Sequence, residues 1–257
     1  MSEVPREAAI GFQRGAADYE RGRPGYPEAA VALLARELAI GPGAVVVDLA
    51  AGTGKLTRAL VGLGANVVAI EPVAGMRDQL VRAVPGVEVL EGTAERMPLA
   101  DRSVDAVLVA QAFHWFDIPA AAAEIHRALA PGGGLGIIRN EWDESVAWIG
   151  EMRALIAERA GQPPRRHAQH WGRQLEASGL FTPLVEEVFG NPVRVDVATL
   201  LARVASLSYV AVLDDAARSE LLDEVARLVT VEGAVGADGR LDTPYRTHVT
   251  WGRRRDP

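Results

Sequence analysis

Cysteine is absent from the 257 residues, which excludes disulfides, a thiol nucleophile and any thiolate metal site. Lysine is nearly absent: of 27 basic residues only Lys55 is lysine, a bias that by itself carries no functional weight. A basic excess is missing too. The formal charge of -7 argues against a nonspecific nucleic-acid binder, whose affinity would rest on neutralising phosphates, so a small-molecule partner is expected. No apolar run approaches the ~18 residues of a membrane span, and the first residues, MSEVPREAAIG, show neither a basic n-region nor an apolar h-region. The expectation is a cytoplasmic protein with no membrane or nucleic-acid partner. Aromatic residues are scarce at 5%, yet three of them fall in one heptad, QAFHWFD at 111–117.

What is present, 49% apolar and 24% charged residues, suits one α/β domain with a single core. Helical spacing at 27–39 is followed by a strand at 44–49 (AVVVDL), a helix at 55–63, a strand at 66–70, a helix at 74–84 and a short strand at 87–90. Next come a strand at 104–109, a helix at 119–129, the turn PGGG and a strand at 135–139. Near-continuous apolar strands joined by helical crossovers predict a parallel sheet covered on both faces, with ligands beyond the strands' carboxyl ends. The second half predicts helices at 145–160, 171–178, 197–208 and 215–231, and strands near 184–195 and at 245–251. Pro163 and Pro164 make 161–171 a loop or lid.

The loop AAGTG at 50–54 joins a strand end to a helix start, and its small residues let backbone N–H groups approach a ligand. A P-loop would need Gly at 49 and Ser or Thr at 56, where Leu49 and Leu56 stand. A dinucleotide fingerprint would need a third Gly where Thr57 stands, which weakens a nicotinamide reading. Glu71, ending the second strand, can accept hydrogen bonds from both hydroxyls of a ribose lying over the loop. In EGTAERMPL, Thr93 can offer a hydroxyl and Ala94 a backbone N–H to a purine edge, with Met97 as an apolar face.

The series DLAAGTGKLT, AIEP, GTAERMPL, SVDAVLVAQAFHWFD and EIHRALAPGGGLGII resembles class I S-adenosylmethionine-dependent methyltransferases of the ubiquinone/menaquinone-biosynthesis type, over about residues 10–142. That resemblance implies a Rossmann-like α/β fold: seven mostly parallel strands, helices on both faces and the last strand antiparallel. It implies S-adenosyl-L-methionine as cofactor and S-adenosyl-L-homocysteine as product. Asp48, Ala50, Gly52 and Gly54 would hold the methionine part, Glu71 the ribose, and Thr93, Ala94 and Glu95 the adenine end. The family often has Gly where Ala50 stands. FQRGAADYERGRPGYP at 12–27 resembles an element ahead of the core in the subset similar to yeast trans-aconitate methyltransferase. By that resemblance Tyr19 and Arg23 reach the cofactor carboxylate and Tyr26 helps close the pocket.

One methyltransferase domain is therefore expected over 1–257: an arm at 1–27, a cofactor core at 28–142, acceptor-side helices and lid at 143–244, and a final strand at 245–251. A sulfonium is already an activated methyl donor, so alignment of the acceptor is the larger contribution, up to ~7–11 kcal/mol. A base would add ~10²–10⁴-fold. His114, just past the fourth strand where Gln111 adjoins the methionine part, is the candidate base, with an orienting contact or a packed histidine as alternatives. Trp115 is expected to line the acceptor pocket, Arg139 to meet a carboxylate, and Asn140, Trp142, His170 and Trp171 to touch the acceptor. His167 and His170 lack the further ligands a metal site needs. A cofactor-binding protein that methylates nothing remains the rival from another class.

Overall fold

The computed structural model describes residues 23–161, 171–231 and 234–256. Its elements run α1 (Glu28–Glu37), β1 (Val45–Leu49), α2 (Lys55–Gly62), β2 (Asn66–Ile70), α3 (Ala74–Ala83), β3 (Glu88–Leu90) and β4 (Val104–Ala110). A 3-10 turn (Phe113–Trp115), α4 (Ile118–Ala128), β5 (Leu129–Trp142), α5 (Ala147–Ala160) and α6 (Trp171–Ala177) follow. The chain closes with β6 (Val185–Asp196), α7 (Val197–Ala205), α8 (Ser208–Ala211), α9 (Asp215–Val231) and β7 (Arg240–Arg253). The seven strands form one sheet in the order β3-β2-β1-β4-β5-β7-β6. Each neighbouring pair from β3 to β5 is parallel, and β7 runs antiparallel between β5 and β6, as the resemblance implies.

Local chemistry accounts for this pattern. The VVVDL run of β1 is β-branched and buried on both faces, which suits the centre of a covered parallel sheet. Because β1 has β2 on one side and β4 on the other, the strand order reverses there, and a crevice opens beyond the carboxyl ends of β1 and β4. One apolar cluster fills the sheet face under α4 and α6; a second, under α1 and α2, fills the other. A third joins α5, α7, α8 and α9 to the far ends of β5 and β7.

Boundaries differ from the sequence expectation in three places. β5 already begins at Leu129, because the PGGG segment stays beside β4 as an irregularity that shifts the register between Val104 and Ala106. β7 spans Arg240–Arg253, longer than 245–251, since it pairs with β5 and β6 at once. The helix expected at 197–208 breaks after Ala205, where Ser206 Oγ donates to the Arg203 carbonyl and Leu207 turns extended. Residues 162–170 of the expected lid lie outside the described residues, as do Tyr19, His167 and His170. No described helix is long and apolar enough to cross a membrane.

The glycines of β5 set how closely α1 approaches the sheet. A Cβ on Gly136 would stand 2.5 Å from Leu108 Cδ2 and 2.9 Å from Leu34 Cδ2. Gly136→Ala should therefore destabilise the protein by ~1–3 kcal/mol, through overpacking on both sides at once. Thermal unfolding checks this, and an unchanged midpoint would mean that α1 can retreat freely.

Candidate active site

The crevice at the strand reversal is a cleft of about 470 Å³ lined by the glycine loop (Ala50, Ala51, Gly52, Thr53), Lys55, Leu56, Ala110, Gln111 and Asn140, by Arg23, Pro24 and Tyr26 of the arm, and by Arg203. A second cleft of about 320 Å³ shares Arg23, Pro24 and Arg203 with the first and is otherwise lined by Val193, Val195, Thr199, Leu200, Thr243 and Tyr245.

Two buried acids, Asp48 and Glu71, support the strand end and the glycine loop from outside the cleft's lining. Asp48 is 0% exposed at the end of β1; its Oδ2 accepts a 2.6 Å hydrogen bond from Thr57 Oγ1, while Oδ1 is buried without a partner. Burial pushes its pKa up from 3.8 to about 7, with the neighbouring Glu71 charge adding in the same direction. Glu71, also buried, accepts from Gly52 N–H and from Val73 N–H, both at 2.9 Å. Burial raises its pKa as well, against these bonds and the Arg77 charge. Arg77 Nη1 donates to the carbonyls of Glu71 and Pro72, and its Nη2 donates to Glu91 just past β3. Glu71 thus first ties the loop after β1 to the turn after β2, and its other carboxylate lone pairs stay available to a ligand.

The loop backbone is made for close approach. Gly52 and Gly54 have φ of 58° and 86°, and Ala50 takes a φ of 56° despite its Cβ. A Cβ on Gly52 would meet nothing within 4 Å and would project into open space; one on Gly54 would press on Leu80 and Val84 at 3.0 and 3.2 Å. Gln111, at φ 63°, is a second strained residue in the lining; its N–H donates to the Ile138 carbonyl and its Nε2 to the Asn140 carbonyl.

The arm is fastened over this loop by its main chain. Lys55 Nζ donates to the Arg23 carbonyl at 2.8 Å, and Asn140 Nδ2 and Asn191 Nδ2 both donate to the Gly25 carbonyl at 3.0 Å. Thr247 Oγ1 in turn holds Asn140 Oδ1 at 2.5 Å. Asn140, expected to touch the acceptor, therefore lines the first cleft and grips the arm.

Other sequence candidates lie elsewhere. Thr93, Ala94 and Glu95 sit in a tight turn past β3, outside the lining of both clefts; the Thr93 and Arg96 backbones bond to each other, and Glu95 accepts from Asp117 N–H. In QAFHWFD, Phe113 and Phe116 are core residues with rings 5.4 Å apart. Trp171, expected on a lid, is buried with its ring 5.1 Å from Phe113. Trp115 is half-buried against the same cluster, 4.9 Å from the His114 ring. Burial, then the positive charges of Arg23 and Arg139, lower the His114 pKa from 6.5 to about 4, so the ring is neutral near pH 7. The Arg139 guanidinium pairs with Glu141 and Glu186 and lines neither cleft. Trp142 is buried beneath the guanidinium groups of Arg153 and Arg203, at 5.5 and 4.9 Å from its ring centroid.

Lys55, Asn191, Arg203 and Thr243 were not legible as site residues. Two signals existed: the chain's only lysine follows the glycine loop, and Arg203 occupies the buried stripe of α7 with Leu200 and Val204.

Comparison with known proteins fits this geometry. The family described as Methyltransferase domain matches residues 47–137, from β1 into β5. An uncharacterised methyltransferase of Mycobacterium tuberculosis is 38% identical over 251 residues, 94% of this chain and 95% of the relative. A methyltransferase-like protein of Schizosaccharomyces pombe is 32% identical over 222 residues, 85% and 86% of the two chains. A solved structure described as a candidate type II methyltransferase, from Anaeromyxobacter dehalogenans, superposes with a TM-score of 0.67 at 25% identity, covering 90% of this chain and 97% of the other. The chain belongs to the class I S-adenosylmethionine-dependent methyltransferases, and it is an enzyme of that family.

The raised Asp48 pKa has a measurable sign. Between pH 3.8 and about 7 the native carboxyl keeps a proton that the unfolded chain has released, so this group's contribution to stability falls as pH rises through that window. Asp48→Asn keeps the shape and an acceptor for Thr57. It should match the native protein in stability near pH 4 and exceed it at pH 8, by up to ~4 kcal/mol. A stability difference independent of pH, in denaturant melts, would mean that the buried carboxyl carries no such cost.

Proposed function

We propose that this enzyme moves the methyl group of S-adenosyl-L-methionine onto a small-molecule acceptor, releasing S-adenosyl-L-homocysteine, with the cofactor in the first cleft and the acceptor in the second. The observation that carries the reading is the shared boundary at Arg23, Pro24 and Arg203, where a cleft lined by the glycine loop adjoins one that is not. The residues present fit the cofactor. Gly52 leaves room above the loop, the idle Asp48 Oδ1 lies beneath it, and Glu71 has lone pairs to spare for ribose hydroxyls. Gln111 and Arg23 would meet the methionine end, Tyr26 would close it, and Thr93, Ala94 and Glu95 would meet the adenine. Tyr19 belongs to the same set by its place in the arm motif. The ubiquinone/menaquinone-type placement, and the subset similar to trans-aconitate methyltransferase, rest on the motif series and the arm.

When bound, the sulfonium supplies an activated methyl group, and the chain's task is to align the acceptor and exclude water. The latched arm and the wall around Tyr26 serve that exclusion. A base works best with a pKa near the operating pH, and His114 is held well below it. We therefore read His114 as a neutral ring packed beside Trp115 rather than as the proton acceptor.

Calorimetric titration should show binding of S-adenosyl-L-homocysteine and none of NAD; the reverse would favour a nicotinamide oxidoreductase. Glu71→Ala should weaken that binding at least tenfold, roughly 1.4 kcal/mol, and an unchanged affinity would sink the pocket assignment. With a turning-over acceptor found by mass spectrometry, His114→Gln should cost less than ~10-fold in kcat, where loss of a general base would cost ~10²-fold or more. The native pH–rate profile should show no inflection near 6.5; one that His114→Gln abolishes would restore the histidine as the base.

A further inference from the structure

We infer that Thr247 and Asn191 are positioning residues of the first cleft: with Asn140 they hold the Gly25 carbonyl to the sheet, and so set how fast the cofactor enters and leaves. The cofactor's part in this rests on reading the first cleft as its site. Arg23, Pro24 and Tyr26 form one side of that cleft, and the glycine loop with Gln111 forms another. Gly25 stands outside the lining, and its carbonyl accepts from Asn140 Nδ2 and Asn191 Nδ2, both at 3.0 Å. The side that the arm supplies is thus fixed at a point beyond the cleft itself.

Three strands assemble this grip. Asn140 on β5 and Thr247 on β7 are cross-strand partners, and Thr247 is also the partner of Phe189 on β6, two residues before Asn191. Side chains two apart on a strand share a face, so Asn140, Thr247 and Asn191 meet on one side of the sheet. Thr247 Oγ1, in a residue 0% exposed, donates to Asn140 Oδ1 at 2.5 Å, and Asn191 Nδ2 donates to the same oxygen at 3.3 Å. Two donors on the oxygen give the Asn140 amide one way to face, with Nδ2 toward Gly25. Turned over, it would set its NH2 against Asn191 Nδ2 and its oxygen against the Gly25 carbonyl. Thr247 therefore acts through Asn140, and its buried hydrogen bond is one that is costly to lose.

Asn140 bears on another side of the cleft as well. Its carbonyl accepts from Gln111 Nε2 at 3.3 Å, and Gln111 lines the cleft at a strained φ of 63°. One residue thus joins the arm to the loop after β4. Neither Thr247 nor Asn191 lines either described cleft, so a change at these positions reaches a ligand through Asn140 and Gly25.

Two measurements on the full-length protein test the inference. The chain has no cysteine, so Pro24→Cys supplies a single thiol on the arm, and its rate of modification by dithiobis(nitrobenzoate) reads arm release with no ligand present. Added to that variant, Thr247→Val and Asn191→Leu should each quicken modification about fivefold, the effect of one net hydrogen bond. Thr247→Ser, which keeps the hydroxyl, should stay within about twofold of the parent. In stopped flow on the chain without the cysteine, Thr247→Val and Asn191→Leu should raise both the association and the dissociation rate of S-adenosyl-L-homocysteine several-fold, because a looser arm speeds passage in both directions. Damaged cofactor contacts would raise dissociation alone, and a merely structural loss would lower the melting temperature and move neither rate. If Thr247→Val fails to fold, Asn191→Leu, on the outermost strand, carries the test by the same criteria. Modification no faster than in the parent, or cofactor rates that stay put or rise in dissociation alone while modification quickens, overturn the inference. S-adenosyl-L-homocysteine that does not bind the native protein counts against the cofactor reading alone, and thiol modification then decides whether the two residues position the arm.

Discussion

Everything above the sheet depends on one carboxylate. Glu71 holds Gly52 with one oxygen and Val73 with the other, and Arg77 extends the stitch to Glu91, so the loops after β1, β2 and β3 are fixed relative to one another by a single connected set of charge-assisted bonds. Hydrogen bonds to ionised groups are worth about twice neutral ones, and they set geometry as well as energy. Without this set the glycine loop, strained at Ala50 and open above Gly52, would have little to keep its N–H groups directed at a ligand. The cost is visible in the acids: burial opposes the charge of both Glu71 and Asp48. Sites that bind and react commonly hold such unfavourable groups, which stability alone would remove.

The two clefts divide the chemistry. The first is main chain and small side chains over buried acids, a surface for a ligand of fixed shape. The second is β-sheet, one helix and an arginine over Trp142, a surface whose lining side chains can change without disturbing the glycine loop. Their shared boundary at Arg23, Pro24 and Arg203 means that a change there alters both clefts.

Much of this was legible in the sequence because it is local or periodic. The β-branched run of β1 and the amphipathic crossovers announce the parallel sheet, and the small residues at 50–54 announce a ligand loop. The resemblance supplied the strand count and the antiparallel β7. Boundaries at PGGG and at Ser206 were less clear, since a register shift and a helix break depend on neighbours distant in sequence. The aromatic heptad misled in part: Phe113 faces Trp171 only because α6 packs there, and no pattern within 111–117 tells an inward ring from a lining one. Arg139 is paired with Glu141, two residues along the same strand and so readable in the sequence, and with Glu186, which reaches it on β6 from 47 residues away. Arg203 could have been found, as a charge on an apolar stripe. Asn191 and Thr243 are ordinary polar residues until the sheet closes.

The described end of the arm offers the Arg23 and Gly25 carbonyl groups to three donors on the body, Lys55, Asn140 and Asn191. Three bonds of this kind contribute ~1.5–4.5 kcal/mol net, enough to keep a gate shut most of the time and too little to lock it. Carbonyl groups are common to every residue, so such a clasp is indifferent to the side chains at the positions it grips. Gly25 can therefore change without loss of its bond, whereas Arg23 is gripped by its carbonyl while its side chain lines both clefts.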